Sequence, residues 1–380
     1  MGQGDYNMKI SWVNALFLTL TPIVGFAGAA ALWNHYGAPG LFEGVIFISM
    51  YFACGLSITG GYHRLFSHRA YEAHWLAVLF YTIFGAGAFQ NSVIEWCSDH
   101  RNHHKVVDTD GDPYNAKRGF WYSHIIWVMT VDEGRPNEFS NVKDLQSNKI
   151  IAWQHRNIFK IGVASGWLLP MAIGYLYGEI PYALSGFIWG GVLRTVAVHH
   201  GTFCVNSIAH IFGTQPYDDT NTSRDSWWVA FLTFGEGYHN FHHIFQADYR
   251  NGIKWYHFDP TKWLIQIFSM LRLATKLKKT PQHSIDIARL DMKIKKNTQI
   301  LETSSVDSTP YVEKMKSTRD DLRSAMFSLH KAINEMKEGS SNNSEELSAK
   351  IIQLKQNVVD GETEIYAIFK DISNAKPNSA

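Results

Sequence analysis

Charge is nearly absent from four stretches of this 380-residue chain: residues 10 to 34, 41 to 62, 158 to 178 and 182 to about 205. A water-soluble domain rarely carries such runs, whereas a helix needs about 20 apolar residues to cross a bilayer. Cysteine is scarce as well. Cys54, Cys97 and Cys204 show no pairing pattern, which excludes a disulfide framework and suits a reducing compartment. The first run has no basic residue near it beyond Lys9 and no clear A-x-A site, so no cleavable signal peptide is expected. Lys and Arg are missing from "NHYGAPG" at 34 to 40 and "YGEIP" at 177 to 181, while residues 62 to 157 and the C-terminal tail hold nearly all of them.

These absences define an architecture. The four runs read as four transmembrane helices arranged in two hairpins, and the excess of Lys and Arg elsewhere puts both chain ends and the large central loop on the cytoplasmic side. The apolar stretch "WLAVLFYTIFGAGAF" at 75 to 89 is 15 residues long. It is short for a span, and crossing there would separate the segments on either side of it onto opposite faces, so it is expected to lie along the interface. The expected fold is all-α: a multi-pass membrane domain over 1–280 with a cytoplasmic helical cap, then a polar tail over 281–380. The net charge of +1 says nothing about nucleic acid, and no nucleic-acid partner is expected.

Histidine is what the chain has in surplus. Of 18 histidines, nine fall in four clusters: "HRLFSH" (His63, His68), "HRNHH" (His100, His103, His104), "NSIAH" (His210, with Asn206) and "HNFHH" (His239, His242, His243). All lie past the cytoplasmic end of an expected span or in cytoplasmic segments. On an α-helix, residues i, i+3 and i+4 share an arc of roughly 100°, so each H-x-x-H-H box turns three rings toward one side. His63 and His68 diverge by about 140° on such a helix, and would reach a metal from different directions or from a distorted helix end. Nine imidazoles exceed what one metal binds; two metals fit. Imidazole suits Fe, Zn, Cu and Ni, and nitrogen donors without thiolates beside a membrane suggest oxygen chemistry on an apolar substrate. A lone histidine is usually a surface or core residue, the reading taken for His35, His74, His155, His257, His283 and His330. His124, His199 and His200 are assigned to packing or to support of the ligands.

The segments "GGYHRLFSHRAYEA", "FQNSVIEWCSDHRNHHK", "DPYNAKRGFWYSHIIW", "VNSIAH" and "FGEGYHNFHHIF" resemble the membrane fatty acyl desaturases, in particular their Δ9, stearoyl-CoA-type branch, over about residues 10 to 275. The resemblance implies that His63, His68, His100, His103, His104, His210, His239, His242 and His243 bind two irons, with Asn206 holding a water that completes the coordination. It implies an O2-dependent oxidoreductase that places a cis double bond, at Δ9, in a saturated long-chain acyl thioester. The cytoplasmic cap would then house a di-iron centre. In this family a bend in the acyl tunnel sets the position of the double bond, and the matching residues are Gln90, Trp96 and Thr202. The closed end matches Tyr51 and Gly55.

The carrier is less closely matched. Asn91 and Asp99 remain, but positions where animal relatives place basic residues against a CoA head group read Ser98, Val131 and Asp132, and a Trp becomes Phe203. Fatty acyl-CoA is the expected substrate, with an acyl-carrier-protein thioester or a lipid-bound chain as alternatives. No H-P-G-G haem-binding segment occurs, so electrons are expected from a separate donor, ferredoxin or cytochrome b5 with its reductase. Arg194 falls in the fourth run, where a charge faces a partner or cavity, or snorkels to the interface.

Beyond residue 281 the apolar positions Val312, Met315, Leu322, Met326, Leu329, Ile333 and Met336 follow a heptad spacing interrupted by Arg319. Leu347, Ile351, Leu354, Val358, Ile365, Ile368 and Ile372 repeat it after "GSSNNS" at 339 to 344. Two amphipathic helices are expected, forming a hairpin or a homo-oligomeric coiled coil; the alternative is a solvated, only partly helical and partly disordered tail. Two other functions compete with desaturation: a related di-iron hydroxylase or alkane monooxygenase, which would lack "DPYNAKRGFWYSH" and "NSIAH", and a metal carrier, which would place its ligands within the spans.

Overall fold

The computed structural model describes residues 8–132, 139–302, 309–337 and 344–374. The chain divides into two units, one comprising Met1–Gln215 and Thr220–Lys279, the other Pro216–Asp219 and Thr280–Ala380.

The first unit is helical apart from two short antiparallel strand pairs, Met8–Ile10 with Thr130–Asp132 and Glu72–Ala73 with Ala274–Thr275. Residues 8 to 10 thus precede the first helix rather than belong to it, a correction to its expected start. Among the described residues, three segments are long and apolar enough to cross a membrane: Trp12–Tyr36, Leu41–Ser67 and Ile158–Ile211. Their outward side chains include Leu41 and Leu176, each 84% exposed; such greasy surface suits lipid rather than water. The third segment contains both later runs. It leaves helical geometry at Gly178 and Glu179, within the expected hairpin tip. Around this break the two arms meet backbone to backbone: a Cβ at Gly174 would stand 2.0 Å from the Tyr182 carbonyl oxygen, and one at Gly186 would stand 2.2 Å from that of Pro170. Only glycine permits that approach.

The second segment runs on beyond its expected end at residue 62. Leu41–Leu56 is an α-helix, but Ser57–Ser67 winds as a π-helix, and the His68 amide donates to the His63 carbonyl at 3.1 Å. Wider winding puts residues five apart above one another, which removes the divergence expected for an α-helix. The apolar stretch after it forms the helix Trp75–Ala86. Val93–Val106 follows, started by a capping box in which the Ser92 hydroxyl accepts from the Glu95 amide and the Glu95 carboxylate accepts from the Ser92 amide at 3.0 Å.

Arg194 does not snorkel. Its guanidinium is fully buried and donates to the carbonyls of Gly87 (2.7 Å), Gly166 (2.6 Å) and Gly190 (3.1 Å). Three glycines let their backbones come close enough to solvate the charge, so its partners are peptide oxygens and not a carboxylate.

Among its described residues the second unit contains three helices where two were expected: Gln282–Glu302, Thr309–Lys337 and Ser344–Asn374. Leu290, Ile294, Leu301, Met315, Leu322, Met326, Ile365, Ile368 and Ile372 form its main apolar core. Ala332, Leu347 and Ile351 form a second. The heptad positions therefore meet within one chain. The connection at "GSSNNS" lies outside the described residues up to 343.

Candidate metal centre and its cavity

The nine clustered histidines converge into two groups. His63, His68, His100, His104 and His242 form one, and His103, His210, His239 and His243 the other; in each, one nitrogen per ring lies within 4.8 Å of all the others. Nε2 is the atom that points inward. It separates His63 from His242 by 2.9 Å, His68 from His100 by 2.8 Å, His242 from His104 by 3.0 Å, His239 from His210 by 3.1 Å and His243 from His239 by 3.1 Å.

Each H-x-x-H-H box turns its three rings to one side, as expected, and is shared between the two groups. The i and i+4 residues go together, His100 with His104 and His239 with His243, while the i+3 residues His103 and His242 serve the other group. A helix of 3.6 residues per turn places i+3 and i+4 on opposite flanks of i, and two metals side by side can use both flanks.

Several outward nitrogens are held by polar residues. Nδ1 of His103 is 2.8 Å from Asp112 Oδ1, Nδ1 of His100 is 3.1 Å from the Tyr114 hydroxyl, and Nδ1 of His210 is 2.8 Å from Thr222 Oγ1, which donates to Asp108 Oδ1 at 2.8 Å. Nδ1 of His63 is 2.9 Å from Glu236 Oε2, approached too obliquely for a straight hydrogen bond. Glu236 also accepts from Arg64 (2.8 Å) and Asn251 (2.6 Å), and Arg64 donates to Asp259. Partners of this kind fix which ring nitrogen carries the proton and aim the other. Sequence reasoning missed Glu236, Asp112, Asp108, Tyr114 and Thr222. The signal was present in "VVDTDGDPY" beyond the second box and in the glutamate three residues before His239.

The electrostatics match a metal site. Burial, reinforced by the neighbouring rings, pushes His68, His100, His104, His239, His242 and His243 well below the ordinary histidine value, so each is neutral and offers a lone pair. Burial alone would raise Asp112 and Glu236; the His103 ring outweighs it for the first, and His63 with Arg64 for the second, so both carboxyls are held below their usual range. Neutral imidazoles with Nε2 turned inward are the form a metal binds; Nδ1 is held outward in His100, His103 and His210, while Nδ1 of His239 and His242 is buried without a hydrogen-bond partner among the described residues. The donor set fits a pair of imidazole-bound metals.

A cavity of about 500 Å³ adjoins this centre, a volume suited to a small-molecule ligand. His63, His100, Trp96, Asn206 and Glu236 line the side nearest the histidines. Asn206 ends the Arg194–Asn206 helix, one turn before His210. The Trp96 indole stacks on His100 with centroids 4.9 Å apart. Gln90 and Thr202 also line the cavity and bind one another, Gln90 Nε2 donating to Thr202 Oγ1 at 2.9 Å. Asn91, Ser98, Asp99, Val131 and Phe203 line it too, as does Arg118, which donates to the Tyr122 hydroxyl at 2.6 Å. Tyr51 and Gly55 are not among the lining residues; Phe234 stands between them and the space. His124 and His200 hydrogen-bond each other at 3.0 Å, and His199 lies 2.8 Å from the Ala88 carbonyl oxygen, outside both metal groups.

Residues 40–268 match the family model described as fatty acid desaturase. The chain belongs to the fatty acid desaturase family. It is 40% identical over 296 residues to acyl-CoA desaturase 1 of Saccharomyces cerevisiae, covering 77% of this chain and 56% of that protein. It is 39% identical over 273 residues to the sn-1 stearoyl-lipid 9-desaturase of Synechocystis, covering 72% and 81%. With the stearoyl-CoA desaturase 5 of Bos taurus it shares 36% over 239 residues, covering 61% and 70%. The chain thus spans little more than half the length of the yeast relative. The desaturase match covers the apolar segments Leu41–Ser67 and Ile158–Ile211 and all nine clustered histidines, while Trp12–Tyr36 precedes it; the chain is a membrane protein.

Proposed function

We propose that this desaturase introduces a cis double bond at Δ9 of a saturated long-chain fatty acyl thioester, with fatty acyl-CoA as substrate. The convergence of nine Nε2 atoms into two groups, beside a cavity with Gln90, Trp96 and Thr202 on its wall, is the observation that carries this reading. His63, His68, His100, His104 and His242 would hold one iron. His103, His210, His239 and His243 would hold the other, with Asn206 presenting a water. Bound iron supplies the activation of O2 that removal of hydrogen from an unactivated carbon requires, chemistry zinc does not offer. Two hydrogens leave the chain, and O2 is reduced to two waters by two electrons from the substrate and two from a donor of the ferredoxin or cytochrome b5 class.

The protein's own residues contribute position and exclusion. The hydrogen-bonded pair Gln90 and Thr202 shapes the wall against which the chain bends, and Trp96, stacked on His100, keeps bulk water from the reacting carbons. Asn91 and Asp99 meet the carrier end. Four crossings, with the arms on either side of Gly178 and Glu179 spanning separately, would place both chain ends and the histidine cap on the cytoplasmic side. The Trp75–Ala86 helix would then lie along the interface. Residues 281–380 would form a separate helical domain able to mediate self-association.

Lipid analysis after expression in a host deficient in Δ9 desaturation tests this directly. A monounsaturated product with the bond at the ninth carbon is expected; a hydroxylated product, or none from a metal-loaded membrane fraction supplied with a donor, would reject it.

A further inference from the structure

Phe234 lines the cavity and is 5% exposed, whereas Tyr51 and Gly55 stand behind it. Its ring packs on that of Tyr51 with centroids 4.7 Å apart and edge-on to Phe52 at 5.5 Å. A Cβ at Gly55 would fall 2.2 Å from Cζ of Phe234, so the ring fills the space that any side chain at 55 would need. The backbone aims it there. Phe234 has φ 54, in the left-handed region that an aromatic residue seldom adopts, and Gly235 follows with φ 100. The turn is imposed by its surroundings: the Thr261 hydroxyl donates to the Phe234 carbonyl at 2.9 Å, and the Gly235 amide donates to the Ala230 carbonyl at 2.9 Å.

We propose that Phe234 is the residue that limits acyl-chain length, with Gly55 as the socket that receives its ring and Tyr51 as the wall behind it. The proposal rests on reading the cavity as an acyl site. It makes Gly55 act through Phe234. A methyl group at 55 drives the ring into the cavity and shortens the accepted chain, while truncation at 234 opens room for a longer one. Two methylenes gaining or losing burial correspond to about tenfold in preference.

The test compares wild type, Phe234→Ala, Phe234→Leu, Gly55→Ala and the Gly55→Ala/Phe234→Ala double variant, expressed in a Δ9-deficient host. Membranes are assayed with saturated acyl thioesters of stepwise increasing length. The readout is the ratio of product lengths, which a merely structural role would not move in one direction. Phe234→Ala should favour the longer substrate by about tenfold per two-carbon step, Phe234→Leu should move part of the way, and Gly55→Ala should move oppositely. The double variant should lose the shortening, since no ring remains to be displaced. An unchanged length profile in variants that accumulate normally, or a Gly55→Ala effect that persists without the phenylalanine, overturns the proposal; if Phe234→Ala does not fold, Phe234→Leu and Gly55→Ala decide it. Absence of any double bond from the wild type would defeat the desaturase reading itself, whereas an active enzyme with an indifferent profile defeats only the role of Phe234.

Discussion

The five-histidine and four-histidine groups turn the same ring nitrogen inward and both lean on the loop after the Val93–Val106 helix, the larger through Tyr114 on His100, but only the larger also rests on a buried charged network. Behind the larger group, His63 leans on Glu236, which is locked with Arg64, Asp259 and Asn251 in a buried network tied to the end of an apolar helix. Behind the smaller one, His103 and His210 lean on Asp112 and, through Thr222, on Asp108, both from the short loop after the Val93–Val106 helix. A ligand backed by a buried, charge-balanced network can shift only if the network breaks. A ligand backed by a loop inherits the loop's freedom. The smaller group should therefore be the easier one to empty, although the shared helices couple the two.

The largest disruption should come from a residue on a shared helix. His104→Ala or His242→Ala is expected to abolish product and lower bound metal together, measured as product formed and metal per purified chain. Normal turnover in either variant would remove that residue from the ligand set. Next comes the buried network: Arg64→Met leaves Glu236 and Asp259 without their cation, a loss of about 3–5 kcal/mol for a broken buried pair, read as a lower unfolding temperature in detergent. The contrast between groups is sharpened by Asp112→Asn and Glu236→Gln, each expected to cost about 10- to 100-fold in metal affinity under competition with a chelator. If the loop-held group is the looser, Asp112→Asn releases one metal per chain while the other stays; simultaneous release of both would erase the distinction. Deletion of 281–380 should have the smallest effect on chemistry, with product position retained, and loss of activity in a well-folded truncation would give that unit a direct part.

Much of this was legible in the sequence because it depends on local spacing. Val93–Val106 and His239–Ile244 are helices, and the H-x-x-H-H boxes read correctly as helical from their spacing at i, i+3 and i+4. Their division between two groups did not, because an arc says which face a ring occupies and not which of two neighbouring points it meets. The π-winding that reconciles His63 with His68 has no distinct residue signature. Of the two readings of Arg194, the buried partner holds and the interface does not, but the partners themselves, the carbonyls of Gly87, Gly166 and Gly190, are brought together only by tertiary packing. Phe234 gave no warning, since a left-handed aromatic residue is imposed by Thr261 and Gly235 and not chosen by its own propensity. In the tail, Gln282–Glu302 was missed because its apolar positions, among them Leu290, Ile294 and Leu301, are diluted by Lys, Asp and Gln, and only packing against the two later helices makes them a face.

The wide winding at 57 to 67 has a further bearing on how this chain can vary. Because His63 and His68 are aligned by a loop of backbone one residue longer than an ordinary turn, the four residues between them act as a ruler. Removing Leu65, Phe66 or Ser67 would let the coil tighten to its usual pitch and still bring two imidazoles together. The same contraction would swing Arg64 off Glu236 and Asp259, so a deletion that looks harmless to the ligand pair would be felt first in the charges behind it.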